Sequence, residues 1–160
     1  MAGPRVSALA RRPRLALLLF VSGVLLAGMA IGFVTRPGNW YATLVKPSFN
    51  PPGWVFGPVW STLYVMIGVA GWRIWRAHRE STAMKLWWTQ LLLNWLWSPA
   101  FFILHSPPLA LAIVLSLLAV IVCFIAASWP RDRVSAAIFL PYALWVSFAT
   151  VLNTAIVALN

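Results

Sequence analysis

Five long stretches without a charged side chain constrain this chain of 160 residues more than any other feature: 15–34, 55–72, 86–104, 107–129 and 134–159. They hold 20, 18, 19, 23 and 26 residues. A helix needs about 20 apolar residues to cross a hydrocarbon layer of roughly 30 Å. No stretch shows the apolar–polar alternation of a lipid-facing barrel strand. The expected fold class is therefore all-α integral membrane, a bundle of five transmembrane helices. The helices are predicted at about 15–34, 55–75, 84–104, 108–129 and 134–157, in one membrane domain spanning 15–160. A basic tail, 1–14, precedes it. The one long connection, 36–54, is rich in proline and aromatic residues.

The first stretch follows Arg5, Arg11, Arg12 and Arg14, as a secretory signal would. It stays apolar through Val34, longer than a signal core, so a retained helix is expected. Within it, Gly28 and Gly32 form a GxxxG pattern that permits close helix approach. Packing inside the bundle is preferred for this pair over a dimer seam.

The charges identify the two sides. Ten of the twelve cations lie in the tail, in the second connection (Arg73, Arg76, Arg79, Lys85) and in the fourth (Arg131, Arg133). Only Arg36 and Lys46 fall on the other side. The positive-inside rule then places the N-terminus in the cytoplasm and the C-terminus outside, across what is expected to be a bacterial cell membrane. Cations that border membrane spans have anionic lipid as their expected partner, so the net charge of +10 implies no nucleic acid. Glu80 and Asp132 are the only acids, which excludes a paired-carboxylate hydrolase or a carboxylate metal cage. The single Cys123 excludes an intrachain disulfide framework, and His78 and His105 have no ligand partner in a metal-binding spacing. No metal and no cofactor are expected.

Eleven tryptophans call for an explanation. Trp72, Trp75, Trp87, Trp88 and Trp129 flank charged connections and read as interfacial belt residues. Trp60, Trp95, Trp97 and Trp145 lie further from charge, where an indole N–H needs an acceptor or a cavity. On the third span Trp87, Gln90, Asn94, Trp97 and Phe101 share one helix face. Trp60 and Tyr64 do so on the second, and Tyr142, Trp145, Ala149 and Asn153 on the fifth. Amides at this depth should face protein or a cavity. Two readings stand at this point: polar contacts that join the helices, or a pocket on which three faces converge. The connection 36–54 contains Pro37, Pro47, Pro51 and Pro52, which favour turns and extended backbone, together with Trp40, Tyr41 and Phe49. Such a stiff aromatic segment reads as a lid over the mouth of the bundle.

The run WYATLVKPSFNPPGWVFGPVWSTLY, with LNWLWSPAFF at 93–102 and PYALWVSFATVLN at 141–153, resembles the TspO/MBR family, also called translocator proteins, peripheral-type benzodiazepine receptors or tryptophan-rich sensory proteins. The resemblance extends from about Asn39 onward and does not account for the tail through Arg14. It implies a five-helix membrane protein, often a homodimer, that binds porphyrins, sterols and benzodiazepine-type drugs beneath the first loop. Carried over, the ligand-binding residues are Tyr41, Pro51, Trp60, Tyr64, Asn94, Trp97, Trp145 and Ala149. They coincide with the faces found by spacing, which favours the pocket. The animal sterol pattern needs a Tyr and then Lys or Arg after 151–153, and residues 154–160 contain neither.

The resemblance implies a membrane receptor or sensor whose ligand is a haem-type tetrapyrrole or another apolar small molecule. An enzyme-like alternative, light- and oxygen-dependent porphyrin breakdown, makes Trp60 and Trp145 the catalytic candidates. Facilitated tetrapyrrole transport is the third reading. The chain shows no general base, nucleophile or metal constellation, and no P-loop for ATP-driven pumping.

Overall fold

The computed structural model describes residues 12–160, and Arg5 and Arg11 of the predicted tail lie outside them. Six helices are present among the described residues: α1 (Pro13–Val34), α2 (Asn39–Thr43), α3 (Gly53–His78), α4 (Thr82–Phe102), α5 (Pro107–Ser128) and α6 (Arg133–Leu159). Helices α1, α3, α5 and α6 are long and apolar enough to cross a membrane. The fifth long helix, α4, is less apolar because it carries Lys85, Thr89, Gln90, Asn94 and Ser98. Gln90 and Asn94 are buried, so their amides face protein. The result is the expected five-helix bundle with one short extra helix.

Helix starts use ordinary chemistry. Pro13 opens α1 and Pro107 opens α5, where a missing N–H costs no helical bond. Ser81 Oγ accepts the Met84 N–H at 3.3 Å, and Asp132 Oδ1 accepts the Val134 N–H at 3.2 Å. The second long helix runs from Gly53 to His78, beyond the expected 55–75 at both ends. Absence of charge marks the hydrocarbon layer, whereas helical hydrogen bonding continues past it through Arg73 and Arg76. The connection 36–54 also differs from a wholly extended segment, because Asn39–Thr43 forms a helical turn. The prolines that oppose helix fall outside those five residues.

One tryptophan assignment is corrected. Trp87 was expected at the membrane interface and is instead a core residue, 1% exposed, with Nε1–H donating to the Ile67 carbonyl at 2.9 Å. Its ring lies over Gly71 of α3, which has no side chain to obstruct it. The neighbour Trp88 is exposed, as an interfacial residue should be. Sequence distance from Lys85 is the same kind of signal for both; helix rotation separates them. Within the GxxxG pair, Gly28 is buried against the Tyr64 ring of α3, while the side of Gly32 is open. Close approach here serves α1–α3 packing at a single position.

Among the described residues, one ion pair lies at the basic end of the bundle. Arg73 Nε and Nη2 donate to Asp132 Oδ2 and Oδ1, both at 2.9 Å, and Ser135 Oγ donates to Oδ2 at 2.8 Å. Hydrogen bonding from the Arg73 guanidinium holds the Asp132 carboxyl below the usual range. The pair ties the end of α3 to the α5–α6 turn.

Candidate functional site

At the opposite end, residues of α1, α3, α4, α5 and α6 line a cavity of about 740 Å³ beneath the 36–54 connection. All eight residues singled out as ligand-binding line it. Tyr41 and Pro51 come from the connection, Trp60 and Tyr64 from α3, Asn94 and Trp97 from α4, and Trp145 and Ala149 from α6. The i,i+3 and i,i+4 spacings within each helix bring these side chains to one face. Ala149 leaves room where a larger residue on α6 would fill the space.

A chain of hydrogen bonds underlies the cavity. Tyr64 Oη–H donates to Asn94 Oδ1 at 3.1 Å, and Asn94 Nδ2–H donates to Tyr142 Oη at 2.9 Å. Tyr142 Oη–H donates to Gln90 Oε1 at 3.0 Å, and Gln90 Nε2–H to the Trp87 carbonyl at 2.9 Å. A second link runs from Trp97 Nε1–H to Asn153 Oδ1 at 3.0 Å, and from Asn153 Nδ2–H to the Pro107 carbonyl at 3.0 Å. The two readings of the polar faces are thus realised together. Gln90 joins helices, and Asn94 and Asn153 both join them and border the cavity.

Two buried polar groups of the lining residues remain uncommitted. The Trp145 indole N–H and the Asn50 side-chain oxygen are buried without a partner among the described residues. A buried donor and a buried acceptor left open cost stability unless something occupies them. Trp97, by contrast, has already committed its N–H to Asn153. Arg36 and Lys46 also border the cavity. The Arg36 guanidinium lies 4.1 Å from the Phe33 ring centroid and Lys46 Nζ 4.6 Å from that of Tyr41, so both cations rest on aromatic faces.

The connection is packed as a lid. Trp40 stacks on His105 at 4.4 Å, and Tyr41 meets Phe101 and Phe102 edge-on at 6.1 and 5.5 Å. Burial pushes the Tyr41 phenol above its ordinary pKa. The Asn160 side chain pairs with the backbone of Val45, accepting its N–H and donating to its carbonyl, both at 3.0 Å. Replacing Pro51 and Pro52 together with glycine is expected to weaken binding of an apolar ligand to this cavity with helix content unchanged. Two stiff φ angles then become free and the lid must be ordered on binding. Titration with parallel circular dichroism checks this, and equal affinity in the double variant would reduce the segment to a connection.

Sequence reasoning missed the α1 wall, formed by residues such as Met29, Ile31 and Gly32. They have no polar or aromatic signature, and only their placement opposite α3 and α4 reveals them. Tyr142 was placed on the correct face but left out of the site. It lies fully buried below the cavity, where it connects Asn94 to Gln90.

Residues 16–159 match the TspO/MBR family. The chain belongs to that family. Similar proteins include the tryptophan-rich protein TspO of Chlorobaculum tepidum, 38% identical over 133 residues, covering 80% of this chain and 84% of the relative. The protein of the same name from Archaeoglobus fulgidus is 37% identical over 150 residues, 91% of this chain and 97% of its own. The translocator protein of Homo sapiens is 35% identical over 120 residues, 72% of this chain and 71% of its own. Bacterial, archaeal and human relatives therefore align across most of the membrane bundle of this TspO/MBR protein.

Proposed function

We propose that this TspO/MBR protein is a receptor or sensor that holds a porphyrin-type tetrapyrrole in the lidded aromatic cavity. The reading rests on the cavity of about 740 Å³, within the 300–1,000 Å³ typical of small-molecule sites. Trp60, Trp97 and Trp145 offer flat apolar faces to a planar macrocycle. Arg36 and Lys46 at the rim complement its carboxylates. Sterols and benzodiazepine-type drugs share the apolar character but lack the paired carboxylates that the two rim cations would meet. The test is a porphyrin titration of the purified protein with bound and degraded pigment measured separately. Saturable binding that is weakened by Arg36→Gln with Lys46→Gln supports the reading, and no saturable binding overturns it.

A specific observation also favours the enzyme-like reading. Trp60 and Trp145 border the same cavity, so two oxidisable indoles stand beside the space a photoexcited macrocycle and dioxygen would share. Facilitated transport would use the same cavity, with the lid as its outer gate. The working assembly is a homodimer in a bacterial cell membrane, with anionic lipid around the basic end.

In this reading the tail through Arg14 is cytoplasmic and the lid faces outward. Ten cations against two support that orientation. A reporter fused after Asn160 is expected to be active only outside the cytoplasm. Cytoplasmic activity of that fusion would reverse the orientation and place the lid inside.

A further inference from the structure

The end of the bundle away from the lid contains a second recess, of about 430 Å³, lined by Trp72, Arg73, Arg76, His78, Arg131 and Asp132. It shares no residue with the aromatic cavity. Its charges are unevenly matched. Both carboxylate oxygens of Asp132 are engaged by Arg73, which is the only ion pair among the described residues. Arg76 and Arg131 therefore border the recess with no carboxylate opposite them. Each is nevertheless positioned: the Arg76 guanidinium lies 5.6 Å from the Trp72 ring centroid, and Arg131 Nη1–H donates to the Ala127 carbonyl at 2.8 Å. The Trp72 indole N–H is buried without an acceptor among the described residues.

We propose that this recess binds a phosphate group. Its uncommitted polar lining offers the guanidinium N–H donors of Arg76 and Arg131, while its one carboxylate is already neutralised. That set calls for an anionic ligand rich in acceptors and lacking competing cations. A phosphate provides several oxygens for two guanidinium groups at once, and the rigid fork of arginine suits that geometry. The recess lies where α3 leaves the apolar layer, with Trp75 between its lining residues Trp72 and Arg76 in the sequence. The phosphate of an anionic lipid headgroup would meet it at this depth, and a soluble organic phosphate would reach it from the aqueous side. The chemistry is the same for both.

Two titrations of the full chain in neutral detergent separate these sources, one with dioctanoyl phosphatidylglycerol and one with glycerol 3-phosphate. Heat of binding is the readout. The Arg76→Gln, Arg131→Gln variant is compared with Arg79→Gln, Lys85→Gln, which removes the same charge from the same end but outside the recess. Saturable binding of either probe is expected, weakened by about tenfold or more in the first variant and little changed in the second. Binding of the lipid alone assigns the recess to a headgroup, and binding of both probes assigns it to phosphate irrespective of its carrier. Failure of both probes to bind, or equal weakening by the two variants, would overturn the proposal. Wild-type helix content and melting temperature in both variants ensure that the comparison reads the recess.

Discussion

Gly71→Ala is expected to lower the stability of the detergent-solubilised protein by about 3 kcal/mol, a large fraction of what a domain possesses. A Cβ at this position would overlap the Nε1–Cε2–Cζ2 edge of the Trp87 indole. That ring is fully buried, and its N–H is fixed on the Ile67 carbonyl one turn earlier in the same helix. It therefore has no free end to swing away. Overpacking costs about 1–3 kcal/mol, and displacing the ring far enough to lose the Ile67 bond strands a buried donor at a further 1–3 kcal/mol. Gly23→Ala supplies the contrast, because nothing lies within 4 Å of its added methyl. There the higher helix propensity of alanine should leave stability unchanged or raised by up to about 1 kcal/mol. Thermal unfolding of both variants checks the pair, and similar melting temperatures would mean that Trp87 can move.

Replacing both Trp60 and Trp145 with phenylalanine is expected to weaken porphyrin binding by roughly a hundredfold. One tenfold step, about 1.4 kcal/mol, comes from each site. Phenylalanine retains part of the stacking face, and aromatic pairing beyond buried area is worth about 0.5–1.5 kcal/mol. The same variant separates receptor from enzyme. At saturating pigment under illumination, a pure receptor loses porphyrin at the same rate in wild type and variant. Faster loss with the wild type would establish oxidative chemistry at the indoles, because phenylalanine is much harder to oxidise.

These two expectations rest on different amounts of sequence information. The cavity residues on α3, α4 and α6 were legible because polar and aromatic side chains at helical spacing stand out against an apolar background. Tyr64, Asn94 and Trp145 could each be assigned to a face before any contact between the faces was known. Gly71 could not be read in this way. A lone glycine in an apolar helix has many uses, and only the position of Trp87 shows which one applies. The misassignment of Trp87 has the same origin. Proximity to Lys85 pointed to the interface for both Trp87 and Trp88, yet one turns inward and its neighbour outward.

By itself the sequence determined the number, order and approximate limits of the membrane helices, because in lipid each helix must satisfy its backbone hydrogen bonds within its own segment. It also identified the aromatic lid, since a solvated linker would not concentrate proline and aromatic rings. The tertiary structure decided which polar groups are already committed. Trp97 and Trp145 are both indoles at membrane depth, but Trp97 donates to Asn153 while the Trp145 N–H remains open. The pairing of Arg73 with Asp132, which leaves Arg76 and Arg131 without a carboxylate, was settled at the same level. Such choices depend on helix rotation and on separations of a few ångströms between segments distant in the chain. A one-dimensional pattern carries the faces of helices, but not the distances between them.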